Sequence, residues 1–469
     1  MSDLSGLPEI AIGCGAGFAG DRADAALPVI KALAGYDCPR YLVYEVLAER
    51  TLAIAQRLKR EDAGEGFSPW LDLYLQDALS LCLENHVRIV ANFGSANPKA
   101  AATRIQSIAT KTGCRVPKVA YVLGDDLLQF MSADEVLKHD FIEGTDAGSG
   151  ELLAANAYLG AKPIADALET GAEIVIVGRS TDSAMVLGPL LHEFGWSQDT
   201  LDLIAAGIMA GHLIECGSQI TGGYFADPGF KDVEGLDNTG FPILEMNASG
   251  RMVITKPENT GGVVNRQTVI EQLLYEIHDP SSYLTPDVVL DLSKVAVDEL
   301  GENRVEVTGA AGRQPPSTLK ATICFDSGWL GEAEISYAGP NALARAELAA
   351  DVIRKRIANS DLAGNNALRI DILGAKAVHD DDSGSQRQEL PGNLREDADG
   401  NGEYRVRAAT RSLNKAAAQA VANEVMALYC CGPAGGGGVR QSVTPQLSTA
   451  SILLPREPIE KRVTIEVLE

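Results

Sequence analysis

The chain is short of positive charge and of aromatic residues. Lys and Arg number 40 against 64 Asp and Glu, giving a net charge of −24 at neutral pH, and aromatics are only 5% of the 469 residues. Binding to a phosphate backbone needs a concentrated basic surface, and no Lys/Arg cluster is present, so a nucleic-acid partner is not expected. The eight cysteines (14, 38, 82, 114, 216, 324, 430, 431) form no CxxC pair. That scatter suits reduced thiols better than a disulfide framework or a structural zinc site. The opening "MSDLSGLPEIAIG" lacks the basic and apolar regions of a signal peptide, and no apolar run approaches a membrane span. These shortages point to a soluble, acidic, cytoplasmic protein without membrane contact.

What is present is a repeating grammar. Apolar runs at 9–13 ("EIAIG"), 41–45 ("YLVYE"), 88–94 ("RIVANFG"), 118–124 ("KVAYVLG") and 173–179 ("EIVIVGR") alternate with helix-like stretches. Strands apolar at nearly every position are those covered on both faces, so the pattern predicts βαβ units. Beyond residue 240 the grammar changes. "GFPILEMNASGRMVITKP" reads as two strands around the turn Asn247-Ala248-Ser249-Gly250, with further strands in "RVEVTGA", "TLKATICF" and "EAEISYAG". Two β–α–β passages follow, the second entering "STASILLPR". The polar segment 379–403 between them reads as a mobile surface loop. The expected architecture is α/β: a doubly wound, mostly parallel Rossmann-like domain over 1–240, then an α+β domain over 241–469. A ferredoxin-like split βαβ is one form the second domain can take. With 469 residues the chain is long enough for two cores.

The first apolar run feeds "IGCGAGFAGDR", in which Gly15, Gly17 and Gly20 spell GxGxxG. A dinucleotide loop needs its first glycine directly after the strand and a helix opening at the third. Counted from Gly13, the third glycine falls on Phe18; counted from Gly15, the loop starts two residues late. Asp24 as an N-cap, with Pro28 in a first turn, also puts the helix start downstream of the glycines. An oxidoreductase using NAD(P) or flavin therefore stays an alternative, with Glu45 as a late ribose acid. On the residues alone, a loop in which Gly15, Gly17, Asp21 and Arg22 hold a substrate carboxylate or phosphate, as one wall of a cleft, stands level with a purely structural turn.

Other stretches carry candidate chemistry. In "AAGIMAGHLIECGSQITGG", His212 and Glu215 share one helical face and suit general acid–base work, with Cys216 beside them. The spacing is not HExxH, and no metal is expected. A helix with a satisfied histidine is the plainer alternative. "VGRSTDSAM" places Arg179, Ser180, Thr181 and Asp182 past a strand's end, where ligands of open α/β sheets bind. Helix capping would explain Thr181 or Asp182 but not Arg179, so Arg179 is assigned to substrate and Asp182 to catalysis. Lys256 with the turn Thr260-Gly261-Gly262 suits an anion at a helix start. Gly436 and Gly437, in "YCCGPAGGGGVR", read as a loop closing over a ligand, and Asn97 and Asn156 as further rim residues.

Together "IGCGAGFAGDRADAA", "AANAYLGAKPIADAL", "IVIVGRSTDSAMVLGPLLHEFGW", "AAGIMAGHLIECGSQITGG", "TKPENTGGVVNRQTVIEQLLYEIHDPSSYL" and "LYCCGPAGGGGVR" resemble the acyclic terpene utilisation protein A (AtuA) family. The resemblance covers about Glu9 to Glu469. It implies catabolism of branched acyclic terpenoids or related acids, beside acyl-CoA carboxylases and hydratases. The expected enzyme is a lyase or hydro-lyase acting on a branched hydroxy acid or its CoA thioester, with CoA entering as part of the substrate and no other cofactor. The rival from another class is a non-catalytic subunit of an acyl-CoA-processing complex. A homo-oligomer is expected. Many members resemble longer chains with a small additional C-terminal domain, which here would be a separate partner subunit.

Overall fold

The computed structural model describes residues 8–142, 150–359, 367–374 and 402–469. The polar segment expected as a loop lies outside them, save its last two residues. The strands in chain order are β1 (Ile10–Ala16), β2 (Arg40–Tyr44), β3 (Val87–Ala91), β4 (Val119–Leu123), β5 (Glu151–Ala157), β6 (Ile174–Ile176), β7 (Ile243–Met246), β8 (Met252–Thr255), β9 (Tyr283–Leu284) and β10 (Val289–Asp291). They continue with β11 (Ala296–Gly301), β12 (Arg304–Thr308), β13 (Ala311–Arg313), β14 (Thr318–Ala338), β15 (Ala367–Leu373), β16 (Glu403–Ser412), β17 (Gly437–Pro455) and β18 (Thr464–Leu468).

Two compact units result. The larger comprises Met1–Asp146, Leu152–Cys324 and Thr449–Glu469; the smaller is Phe325–Ser448 with the short stretch ending at Glu151. The larger unit is built on a ten-stranded sheet of order β11-β12-β8-β7-β1-β2-β3-β6-β4-β18. Its centre, β1-β2-β3-β6-β4, is parallel throughout. These are the five runs expected from the sequence, and β1 is buried at every position, as a strand covered on both faces must be.

The boundary expected at residue 240 falls inside this unit. β7 pairs antiparallel with β1, and β8, β12 and β11 extend the sheet outward. Every residue of β7 and β8 is buried, so this hairpin had to join a core rather than start a new one. Its turn is as expected: Asn247 Oδ1 accepts from Ser249 N at 3.1 Å and Arg251 N at 3.2 Å, and Gly250 takes φ +83°. At the other edge the C-terminal β18 pairs antiparallel with β4.

The smaller unit has the order β15-β16-β14-β17, with helices Ala342–Ala358 and Lys415–Cys431 linking β14 to β15 and β16 to β17. Interleaving two βαβ passages in this order is the ferredoxin-like arrangement. One face of the sheet (Ala333, Ile335, Tyr337, Ile370, Ile372, Val406, Ala408) packs on Ala346, Ala349, Ala350 and Ile353 of one helix and Val421, Ala422 and Val425 of the other. "TLKATICF" and "EAEISYAG", expected as two strands, form the single strand β14. Gly328, at φ +85° and pressed against Ser412 O, lets the chain pass between them without a turn.

Candidate active site at the carboxyl edge of the parallel strands

The larger unit gathers charged and polar side chains where β2, β3, β4 and β6 end. β2 delivers Glu45, β3 Asn92, β4 Asp125, and β6 the run Arg179–Asp182. This is the edge at which open α/β sheets bind ligands.

Arg179 is the hub. Only 2% of it is exposed. Its Nε and Nη2 donate to Ser180 O at 2.9 and 2.6 Å, Nη1 donates to Leu47 O, and Nη2 also donates to Asp182. The guanidinium lies 4.5 Å over the Tyr158 ring. Burial opposes its charge, yet Asp182, Tyr158, Glu45 and Glu49 together hold the proton on more firmly than usual. Asp125 braces the hub from behind. It accepts from Arg179 N at 2.9 Å and from Asn156 Nδ2 at 2.9 Å, and Asn156 Oδ1 accepts from Gln56 at 3.0 Å. Burial lifts the Asp125 carboxyl to about 6, against these bonds. Gly178 is needed here, because a Cβ would stand 2.7 Å from Asp125 Oδ2.

Three carboxyls act on the guanidinium, Asp182 by direct contact and Glu45 and Glu49 electrostatically. Glu45 Oε1 accepts from Leu47 N and Asn92 Nδ2, both at 2.9 Å. Burial, then the nearby Asp182, push its pKa up to about 8 although Arg179 pulls down. Burial would also raise Glu49, but the hydrogen bond from Tyr158, with Lys320 and Arg179 close by, holds it at about 2. Asp182 is shifted upward by enclosure and offset by Arg179. Its side chain is nevertheless 39% exposed, which places the carboxyl in a recess open to solvent.

The second group lies on helix Leu201–Ile214, buried at every position from Ile204 onward. A helix apolar on all sides belongs in the interior. Gly211 lets it approach the segment after Asp182, since a Cβ there would sit 2.6 Å from Ser183 Cα. His212 Nδ1 lies 3.3 Å from Glu215 Oε1, and both residues are under 10% exposed. Burial raises the Glu215 carboxyl, while His212 offsets part of that rise. Among the described residues, His212 Nε2, Glu215 Oε2 and Ser180 Oγ are buried without any hydrogen-bond partner. Unpaired polar atoms in an interior cost about 1–3 kcal/mol each, so several together make this the candidate site. The Tyr283 ring lies 5.9 Å from that of His212.

The family model of acyclic terpene utilisation family protein AtuA matches residues 10–465. The chain belongs to the AtuA family. No curated protein and no solved structure matches it. Among the described residues of this AtuA chain, no helix is long and apolar enough to cross a membrane, and no group of three or more His, Cys, Asp and Glu is placed to hold a metal ion. All eight cysteines are free.

The expected site residues of this AtuA chain fall into distinct settings. The Arg179–Asp182 and His212–Glu215 pairs come together, since Gly211, one residue before His212, packs on Ser183, one residue after Asp182. Arg179 faces protein acceptors rather than a recess. Asp182 caps nothing, because the next helix has Ser183 at its N-cap and no side-chain cap. Asn156 stands one shell behind, on Asp125. The glycine loop adjoins the site through Gly17, whose Cβ would lie 2.2 Å from the Cys216 carbonyl carbon; Gly15 makes room for the Tyr44 ring. Asp21 staples the loop by accepting from Gly17 N and Arg22 N at 2.9 Å, and Arg22 pairs with Asp24 at 3.0 Å. The strand ends at Ala16 and the helix starts at Ala26, so no helix N-terminus meets these glycines.

Other expected contributors are placed elsewhere. Asn97 caps helix Pro98–Thr112 through Ala100 N at 3.3 Å and donates to Ala63 O and Glu65 O. Lys256 and Thr260 line a separate open cavity of about 870 Å³ with Lys31, Tyr36 and Arg304. The Thr260-Gly261-Gly262 turn does not open the next helix, which Asn265 caps. Its N–H groups are spent within the protein, Gly261 on Asn238 O at 2.8 Å and Gly262 on Glu234 O at 2.8 Å. Gly436 and Gly437 belong to the smaller unit. Gly437 opens β17, and Gly436 packs on Ile335 and Tyr337. The residues not singled out beforehand are Glu49, Asp125 and Tyr283, with Glu45 considered only as a ribose acid. "LGDD" after the fourth strand was the available signal for Asp125.

Proposed function

We propose that this AtuA-family chain is an enzyme of acyclic terpenoid or branched-acid catabolism, a lyase or hydro-lyase acting on a branched hydroxy acid or its CoA thioester. The family supports the metabolic setting. The observation that carries the chemistry is the buried His212–Glu215 pair, whose Nε2 and Oε2 have no partner among the described residues. Glu215 on Nδ1 orients the ring, so Nε2 is the atom free to move a proton beside a carbonyl. Asp182 supplies a recessed carboxyl within electrostatic reach. The test is turnover of branched 3-hydroxyacyl-CoA thioesters by the purified chain and by His212→Ala. The variant should fold and lose about 10²–10⁴ in kcat. Turnover equal to wild type would remove His212 from the mechanism.

A further inference from the structure

Glu45 is placed to do more than fill space behind Arg179. Its N–H donates to Ala16 O at 2.9 Å, which pins it beside the end of β1. The next residue, Gly17, touches the Cys216–Gly217 backbone directly after Glu215. Glu45 and the His212–Glu215 pair thus flank the same strand end, and the Cys216 thiol senses both carboxyls. Both bonds that Glu45 receives, from Leu47 N and Asn92 Nδ2, end on Oε1, which leaves Oε2 to carry a proton.

The charge count supports that proton. Glu45, Glu49 and Asp182 all act on one guanidinium, and Lys320 Nζ lies 3.3 Å from Glu49. Arg179 bonds Asp182 directly, and Glu49 has Tyr158 and Lys320, so Glu45 is the carboxyl left without a cation of its own. A carboxyl enclosed beside other carboxylates keeps its proton at neutral pH. Burial acts in the same sense.

We propose that Glu45 is the acid that protonates a leaving hydroxyl, so that the site eliminates or adds water, with His212 as its base. This inference rests on the function proposed above and selects one of its two reaction types. Cleavage of a carbon–carbon bond in a hydroxy acid needs a base at the hydroxyl; loss of that hydroxyl needs a second, neutral acid. In the elimination, His212 Nε2 takes the proton from the carbon beside the thioester carbonyl. That electron pair forms the carbon–carbon double bond, the carbon–oxygen bond breaks, and the hydroxyl leaves as water with the Oε2 proton of Glu45. Glu45 ends as carboxylate and His212 as imidazolium; addition of water runs the same path backward.

The experiment follows isotopes in the purified full chain, using a 3-methyl-branched 2-enoyl-CoA and the matching 3-hydroxyacyl-CoA in heavy water labelled with ¹⁸O and deuterium. Wild type should place ¹⁸O on C3 and deuterium on C2. Glu45→Gln should cut ¹⁸O incorporation about 100-fold or more, yet keep deuterium exchange at C2 of the hydroxyacyl thioester, a split that a merely structural role would not produce. Glu45→Asp should restore part of the ¹⁸O signal, and His212→Ala should lose both labels. Two results overturn the inference alone: ¹⁸O incorporation by Glu45→Gln within threefold of wild type, or a ketone and a shorter acyl-CoA thioester as the wild-type products. A wild-type chain inert to both thioesters overturns the parent reading instead.

Discussion

In the larger unit, charged groups sit where water is scarce, with Arg179 at 2% exposure among Glu45, Asp125 and Asp182. The smaller unit keeps its charges apart from its core. There the helices cover the face bearing Ala333, Ile335 and Val406, while alternation turns Glu332, Glu334, Arg405 and Arg407 to the other face. Arg407 bridges Glu332 and Asp371, and Arg405 pairs with Glu334 at 3.4 Å. Both units own an arginine between two acids, but only one has been removed from solvent. Burying a charged cluster costs stability that an apolar core would not. The larger unit tolerates that cost at the carboxyl edge of its parallel strands, whereas in the smaller unit's cluster only Asp371 is buried.

The comparison breaks first at the two arginines. Arg179→Met leaves buried carboxyls without their cation and should cost about 3–5 kcal/mol or prevent folding. Arg407→Met, on a half-exposed side chain, should cost about 0–1 kcal/mol. Urea unfolding of both variants checks this, and equal losses would erase the distinction.

Two glycines sharpen it at smaller scale. Gly17→Ala drives a methyl into the Cys216–Gly217 backbone and should cost about 1–3 kcal/mol. Gly437→Ala meets nothing within 4 Å and should stay within about 0.5 kcal/mol. Thermal unfolding of the pair gives the contrast directly, and a larger shift for Gly437→Ala would reverse it.

A further contrast is in pH. Glu45, at about 8, and Asp125, at about 6, bind protons in the folded chain that the unfolded chain releases near pH 4. Their contribution is full below about pH 4 and is lost as pH rises through 6 and then 8. Glu49, held at about 2, has the opposite sign and loses its contribution as pH falls from about 4 toward 2. Stability measured across pH 5–8 should therefore decline, and Glu45→Gln should flatten that slope. An unchanged slope in the variant would mean that Glu45 is ionised throughout.

Much of this was legible beforehand where the signal was local. The parallel strands, the hairpin at Asn247–Gly250 and the two βαβ passages follow from runs and turns read within about 20 residues. The His212–Glu215 and Arg179–Asp182 pairs follow from helical or turn spacing. The Lys256–Gly262 pattern suggests N–H groups open to an anion, whereas the carbonyls of Glu234 and Asn238 take those of Gly262 and Gly261 from the neighbouring loop. No spacing along the chain reveals such a competitor.

The sequence by itself determined which segments became buried strands, because an apolar run covered on both faces has few other stable places. It also determined that His212 and Glu215 share one helical face. Tertiary structure alone decided that β7 would lie against β1, and that the chain's last strand would close the far edge on β4. It decided as well that Glu45, Glu49, Asp125 and Asp182 would meet around one arginine. Those residues come from separate elements, and only sheet order brings their strand ends together. Once they meet, burial raises every one of these carboxyls, and the hydrogen bonds and cations that each one finds decide which keeps its proton.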